Sequence, residues 1–154
     1  MNLTDEQIAQ LKNIISLSLQ KLYHDDIEII QRGGMEQAVS FRFGTYLNSY
    51  CQDIEWLRIL NFDMEYNKNG VSPKRTPRRP NGVRPDLIIH RRNLNTDNIL
   101  IVEIKGWWNP EPRENDYIKI EDFVHQEGEY KYGLGVFLDL GIENCNPEYF
   151  KGYE

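Results

Sequence analysis

Asp86, Glu103 and Lys105 are the residues whose placing asks for a chemical explanation. Asp86 follows Pro85 and opens the apolar stretch Leu87-Ile88-Ile89. Glu103 closes the apolar stretch Ile99 to Val102, and Lys105 lies two residues further on. Alternate side chains of a strand share a face, so Glu103 and Lys105 point the same way. A tight hairpin between the two stretches puts Asp86 beside Glu103. Burying two carboxylates together costs on the order of several kcal/mol unless cations neutralise them. A divalent ion does so, and hard oxygen ligands suit Mg²⁺ or Mn²⁺. The competing explanation is structural: a Glu103–Lys105 or Asp86–arginine ion pair at a sheet edge.

The charge pattern adds a second signal. Lys74, Arg75, Arg78, Arg79, Arg84, Arg91 and Arg92 face one acid, Asp86, giving +6 within 19 residues. The chain as a whole carries −6, so the rest of it carries −12. An arginine cluster on an acidic body binds phosphates by releasing counterions. A solvated, solubilising loop is the plainer explanation.

Pro85-Asp86, a strand–turn–strand spacing of sixteen residues, and Glu103-Ile104-Lys105 together resemble the PD-(D/E)xK phosphodiesterase superfamily of restriction and repair nucleases. Asp63 to Asn67, Arg84 to Arg92, Asp116 to Lys119 and Tyr130 to Gly133 are similar to an uncharacterised prokaryotic group within it. The likeness covers roughly residues 33 to 140. It implies a restriction endonuclease-like, three-layer α/β/α core around a mixed four-stranded sheet. It implies a Mg²⁺- or Mn²⁺-dependent nuclease, with DNA as the expected substrate. Asp86 and Glu103 would hold the metal, joined by the Ile104 carbonyl. The metal would polarise the phosphate and acidify a bound water. Lys105 would orient that water or stabilise transition-state charge. Glu36, on a helix before the first strand, matches an extra acid that reaches the metal through water; a solvent-facing acid explains it equally. Glu65 is a further acid that points at the site or out from its strand. Lys119 resembles a residue that positions the phosphate, against a surface lysine paired with Asp116 or Glu121. Lys74, Arg75, Arg78, Arg79 and Arg84 would then hold the nucleic-acid backbone without reading sequence. A member of the same fold that has lost catalysis, serving as a nucleic-acid-binding or protein-interaction module, is the alternative. A third reading docks the basic loop on an acidic protein partner. Cutting both strands of a duplex makes a homodimer convenient, or a larger complex that supplies specificity.

The other conspicuous side chains read as structural. Neither His90 nor His125 has an obvious nucleophile or orienting partner in the sequence around it. Trp107-Trp108 either stacks on unpaired bases or covers the sheet end, with packing expected for at least one ring. Tyr130 and Tyr132 belong to the core wall.

These residues need elements to hold them. Thr4-Asp5-Glu6-Gln7 is a capping box, and Ile8, Leu11, Ile15, Leu19 and Leu22 predict a helix over 5–23. Asp25-Asp26 closes it, and residues 27–30 are ambiguous before Gly33-Gly34. Met35, Val39, Phe43, Leu47 and Tyr50 predict a second helix over 35–50. Alternation predicts a strand over 55–66. Residues 67–82 read as a mobile loop, 83–91 and 98–106 as buried strands. A helix over 116–127 stopped by Gly128, and a strand over 133–140, complete the core. The tail from Gly141, with Tyr149, Phe150 and Tyr153, is expected to pack loosely.

At 154 residues the chain fits one domain spanning 1–154. It is 40% hydrophobic and 27% charged, which suits a folded domain rather than a disordered one. Its apolar runs fall far short of a membrane span, and no signal peptide is visible. Cys51 and Cys145 form no CxxC, so reduced thiols and a cytoplasmic location are expected.

Overall fold

The computed structural model describes residues 2 to 152; Tyr153 lies outside them. Helix α1 spans Asp5–Asp25 and starts at the predicted capping box. Thr4 Oγ1 accepts from the Gln7 N–H at 3.1 Å, and Gln7 Oε1 accepts from the Thr4 N–H at 2.9 Å. Leu11, Ile15, Leu19 and Leu22 bury the expected stripe. The ambiguous stretch after Asp26 is a short helix, α2, Ile27–Arg32. Gly33 ends it at φ +71°, a left-handed conformation that glycine adopts without strain. Helix α3, Glu36–Gln52, buries Val39, Phe43 and Leu47 and packs on α1.

The predicted strand over 55–66 divides. Residues Glu55–Arg58 form a helical turn, α4, and only Asn61–Met64 form a strand, β1. Ile54 and Leu57 lie three apart and pack on the core. Trp56 turns to donate its indole N–H to Gln10 Oε1 at 2.7 Å. Helical spacing therefore wins in the first half, and true alternation begins at Asn61.

The segment expected to be a mobile loop is partly built. Lys68–Asn69 (β2) and Ser72–Pro73 (β3) pair as a small hairpin. Strand β4 is Leu87–His90, shorter than predicted because Val83 to Asp86 leaves the sheet. Strand β5 is Leu100–Gly106, helix α5 is Glu114–Val124 and strand β6 is Leu134–Leu140. Helix α5 ends at Val124, four residues before Gly128, so Gly128 is not its stop. The tail does not pack loosely: Glu148–Lys151 forms β7, paired antiparallel with β6.

The sheet therefore has five strands, in the order β1-β4-β5-β6-β7, where four were expected. It is mixed: β5 and β6 are parallel, joined by α5 as the crossover, and the other neighbours are antiparallel. Helices cover both faces. Leu100, Val102 and Ile104 of β5 join α1 and α3 in one core. Ile101 joins Ile120, Phe123 and Val124 of α5 in the other. All seven residues of β5 are buried, which its continuous apolar run requires. The row that carries Ile101 continues into Glu103 and Lys105, so both charged side chains are delivered beneath α5.

The closeness of α5 to the sheet depends on Gly135. A Cβ there would meet Ile120 Cγ2 at 2.3 Å. Gly135→Ala is expected to push α5 outward and destabilise the fold by about 1–3 kcal/mol, the usual cost of overpacking. Urea unfolding checks this; an unchanged midpoint would show that α5 yields without cost.

Candidate metal and phosphate site

The site begins where β4 parts from β5. Their pairing runs from Ile89↔Leu100 to Leu87↔Val102 and goes no further. Pro85 lacks an N–H and cannot extend the ladder as a donor. Beyond that point the edge of β5 is open, and Asp86 fills it. Its Oδ2 accepts from the Ile104 N–H at 2.7 Å, replacing a missing strand partner. Its own N–H faces Glu103 Oε1 at 3.4 Å. The two predicted carboxylates are therefore neighbours.

Glu103 has no exposed surface. Its Oε2 accepts from Lys119 Nζ at 2.5 Å. Lys119 also lies 3.9 Å from Asp116 Oδ1. Asp116 in turn holds Lys105 Nζ at 2.9 Å, and Lys105 reaches Glu111 Oε2 at the same distance. The result is a continuous chain of charges: Asp86, Glu103, Lys119, Asp116, Lys105, Glu111. Four carboxylates against two ammoniums leave a formal −2 in a largely buried strip. Arg113 fastens the loop that carries Glu111. It donates to the carbonyls of Gly106 (3.1 Å) and Asn109 (2.6 Å) and pairs with Asp139 (2.9 Å).

The electrostatics follow from this crowding. Burial, then the Asp86 charge beside it, pushes the Glu103 carboxyl well above the usual carboxylate range. Burial also raises Asp86, against the pull of Lys119 and the Ile104 N–H. Burial pulls Lys119 down, but the Glu103 charge and hydrogen bond outweigh it and the ammonium is held. Lys105 behaves alike, with Asp116 and Glu111 outweighing burial. This is a site short of positive charge, with hard oxygen donors at its centre.

Glu36 is not a solvent-facing helix acid. It is the first residue of α3, and its Oε2 accepts from the Gly106 N–H and from Asn109 Nδ2, both at 3.0 Å. That ties it to the end of β5. Beside it opens a cleft of about 410 Å³. Glu36, Gln37, Ser40 and Phe41 form one wall; Met64, Glu65 and Asp86 form the other. Glu65 donates its N–H to the Asp86 carbonyl at 3.0 Å and has φ +50°. A left-handed glutamate carries a cost of about 1 kcal/mol, and such conformations gather at working sites.

The carboxylate pair passes a chemical test for a divalent cation. Asp86 and Glu103 are adjacent hard donors, and their strip carries the charge one such ion would offset. Among the described residues no hydrogen bond reaches Asp86 Oδ1, and Glu103 Oε1 has only the long contact from Asp86. Among the described residues no three His, Cys, Asp or Glu side chains form a ready cage. Water or substrate oxygens would complete the shell, as is usual for Mg²⁺. The Ile104 group engaged here is its N–H rather than its carbonyl.

The basic segment departs most from expectation. Lys74 cannot reach a phosphate: it is 2% exposed, with its ammonium 5.7 Å from the Tyr66 ring centre and 4.8 Å from that of Tyr130. Burial lowers its pKa to about 8. Arg78 is committed to α5, pairing with Asp122 and with Glu121 at 3.3 Å. Arg79 donates to the Asn115 carbonyl at 2.8 Å. Arg75 and Arg84 keep exposed side chains, and Arg84 stands 3.6 Å from Glu65 at the cleft. Lys119 is not a surface lysine; it sits against Glu103. The sequence reading gave no role to Glu111 and named Asp116 only as a surface partner for Lys119.

The remaining candidates are structural. His90 bonds Asp63 Oδ2 at 2.8 Å, and burial lowers its pKa. Tyr130 and Tyr132 are buried in the core under α5. Trp107 donates to the Ile30 carbonyl at 2.9 Å, and Trp108 packs edge-on against it and over Gly106. Comparison with family profiles, curated proteins and solved structures returned no match. No helix among the described residues is long and apolar enough to cross a membrane.

Proposed function

We propose that the protein is a metal-dependent phosphodiesterase acting on nucleic acid, with DNA as the expected substrate, on a restriction endonuclease-like core of the PD-(D/E)xK kind. The observation that carries the reading is the meeting of Asp86 and Glu103 at the parting of β4 and β5. A wholly buried carboxylate and a half-buried one lie side by side there, in a strip with fewer ammoniums than carboxylates. Asp86 and Glu103 would hold Mg²⁺ or Mn²⁺. Such an ion polarises a phosphate and acidifies a bound water.

The chain's own residues do the rest. Lys119 steadies the Glu103 carboxylate and stands closest to both acids. Asp116 and Glu111 hold Lys105 charged on the same face. Lys119 is thus the better placed of the two lysines to meet negative charge on a phosphate. Arg84 and Arg75 would hold the flanking backbone, with weak sequence preference.

The test is cleavage of plasmid and of single-stranded oligonucleotides with Mn²⁺ or Mg²⁺, beside calorimetric titration of the ion. Divalent-dependent cutting that a chelator stops is the expected result. Absence of both binding heat and cutting would refute the reading.

One observation favours the second reading, a catalytically inactive module. The Lys105 ammonium is held by both Asp116 and Glu111, and Glu103 is already met by Lys119. A closed chain of ion pairs is also a way to hold α5 on the sheet. Metal binding without cutting of any strand form is the result this reading expects.

A further inference from the structure

We infer that the cleft beside Asp86 is a subsite for one unpaired nucleobase, so that the substrate is single-stranded or locally unpaired nucleic acid. The inference rests on the proposed function, since it takes the Asp86–Glu103 end of the cleft as the place of the phosphate.

Helix α3 presents Glu36, Gln37, Ser40 and Phe41 to the cleft, the spacing of one helical stripe. Glu36 is fixed to the end of β5 at the bottom of this stripe. Phe41 lies about 7.5 Å further along the axis, at 1.5 Å per residue. A phosphate at one end and its own base at the other span such a stretch. Phe41 is 58% exposed, although the rest of its helix buries its aromatic rings well. Met64 lines the same cleft, so Phe41 is not its only apolar side chain. Gln37, between the two ends, offers an amide donor and acceptor to the edge of a base.

The lining also discriminates against other ligands. Glu36, Glu65 and Asp86 bring three carboxylates to the cleft against the one guanidinium of Arg84 beside Glu65, so a phosphate is repelled unless a further cation lies between them. An apolar ligand gains nothing beside those carboxylates. A base paired and stacked within a duplex cannot offer its face to Phe41; an unpaired one does so without sequence preference. A volume of about 410 Å³ holds one nucleotide and excludes a base pair with its two backbones.

The experiment measures binding of a single-stranded oligonucleotide bearing a fluorescent purine, and of its duplex, with Ca²⁺ supplied in place of the catalytic ion. Wild type is compared with Phe41→Ala, Phe41→Trp and Gln37→Ala, and Ca²⁺ binding is measured on each. The single strand is expected to bind at least tenfold tighter than the duplex, with the fluorescent base quenched. Phe41→Ala should lose about tenfold on the single strand, the order expected for one stacked base. Phe41→Trp should retain the affinity, and all variants should bind Ca²⁺ like wild type. Unchanged Ca²⁺ binding with equal single-strand and duplex affinity, or with a neutral Phe41→Ala, overturns the base subsite and leaves the phosphodiesterase reading standing. Loss of divalent dependence in wild type overturns both.

Discussion

Asp86→Ala and Glu103→Gln are each expected to abolish divalent-dependent cleavage, by on the order of 10³-fold or more. Losing a ligand forfeits roughly 4 kcal/mol of transition-state stabilisation, and each 1.36 kcal/mol is a factor of ten. The two substitutions fail differently, and that difference is diagnostic. Asp86 also caps the Ile104 N–H at the open edge of β5. Alanine leaves that donor without its partner, so some stability is lost with the activity, about 1–3 kcal/mol. Glutamine at 103 keeps the shape of the side chain and removes a buried charge that burial already disfavours. Its fold should persist without metal, because Lys119 keeps Asp116 as a charge partner at 3.9 Å whereas Glu103 has no second cation. Rates on a fixed substrate, beside urea midpoints measured in chelator, separate the two effects. Glu103→Gln that still cuts at the wild-type rate would remove Glu103 from the chemistry. Lys105→Ala serves as a contrast. Its ammonium is held by Asp116 and Glu111, away from the acids, so its loss should weaken cutting less than either carboxylate substitution does.

The sequence disclosed the centre of this arrangement because centre residues violate local rules. A carboxylate that interrupts a continuous apolar strand, as Glu103 does, is expensive and so conspicuous. Asp86 after Pro85 is conspicuous for the same reason. The helices were legible where their stripes were long, as in α1 and α3. Short elements were not: Ile54 to Arg58 satisfies strand alternation and helical spacing equally, and packing of Leu57 decides between them. Strand β7 was hidden because Tyr149 and Phe150 only acquire opposite faces once β6 offers an edge. The basic loop misled through composition alone. Charge counts do not reveal that Tyr66 and Tyr130 enclose Lys74, or that Asp122 holds Arg78, because those partners come from distant elements. One signal was present and unread. Asp116, Ile120 and Phe123 lie four and three residues apart, on the buried stripe of α5. An aspartate on such a stripe must meet a cation inside, and Lys105 beneath it is that cation.

Lys119→Met is expected to destabilise the metal-free protein by about 3–5 kcal/mol at neutral pH, the usual result of removing one partner of a buried ion pair. For a chain of this length that lowers Tm by on the order of 10 °C. Methionine keeps the apolar stem, so the loss reports the charge. The partner left behind is Glu103, wholly buried and already raised well above its ordinary range. Without Lys119 it loses its strongest favourable interaction and takes up a proton more readily still. The sign of the pH dependence follows. In the unfolded chain this carboxyl releases its proton near the ordinary glutamate value; in the folded variant it keeps it to higher pH. The folded state therefore binds more protons across that window, and stability falls as pH rises through it. At the acid end of that window Glu103 is closest to neutral in both proteins, so the variant should lie nearest to wild type there. The gap should widen toward neutral pH and beyond. Thermal melts of both proteins in chelator, from acid to mildly alkaline buffer, measure it directly. A gap of the same size at every pH would assign the role of Lys119 to packing. No gap at all would mean that Glu103 is neutral in the wild type, with no charge for Lys119 to balance and none ready for a cation.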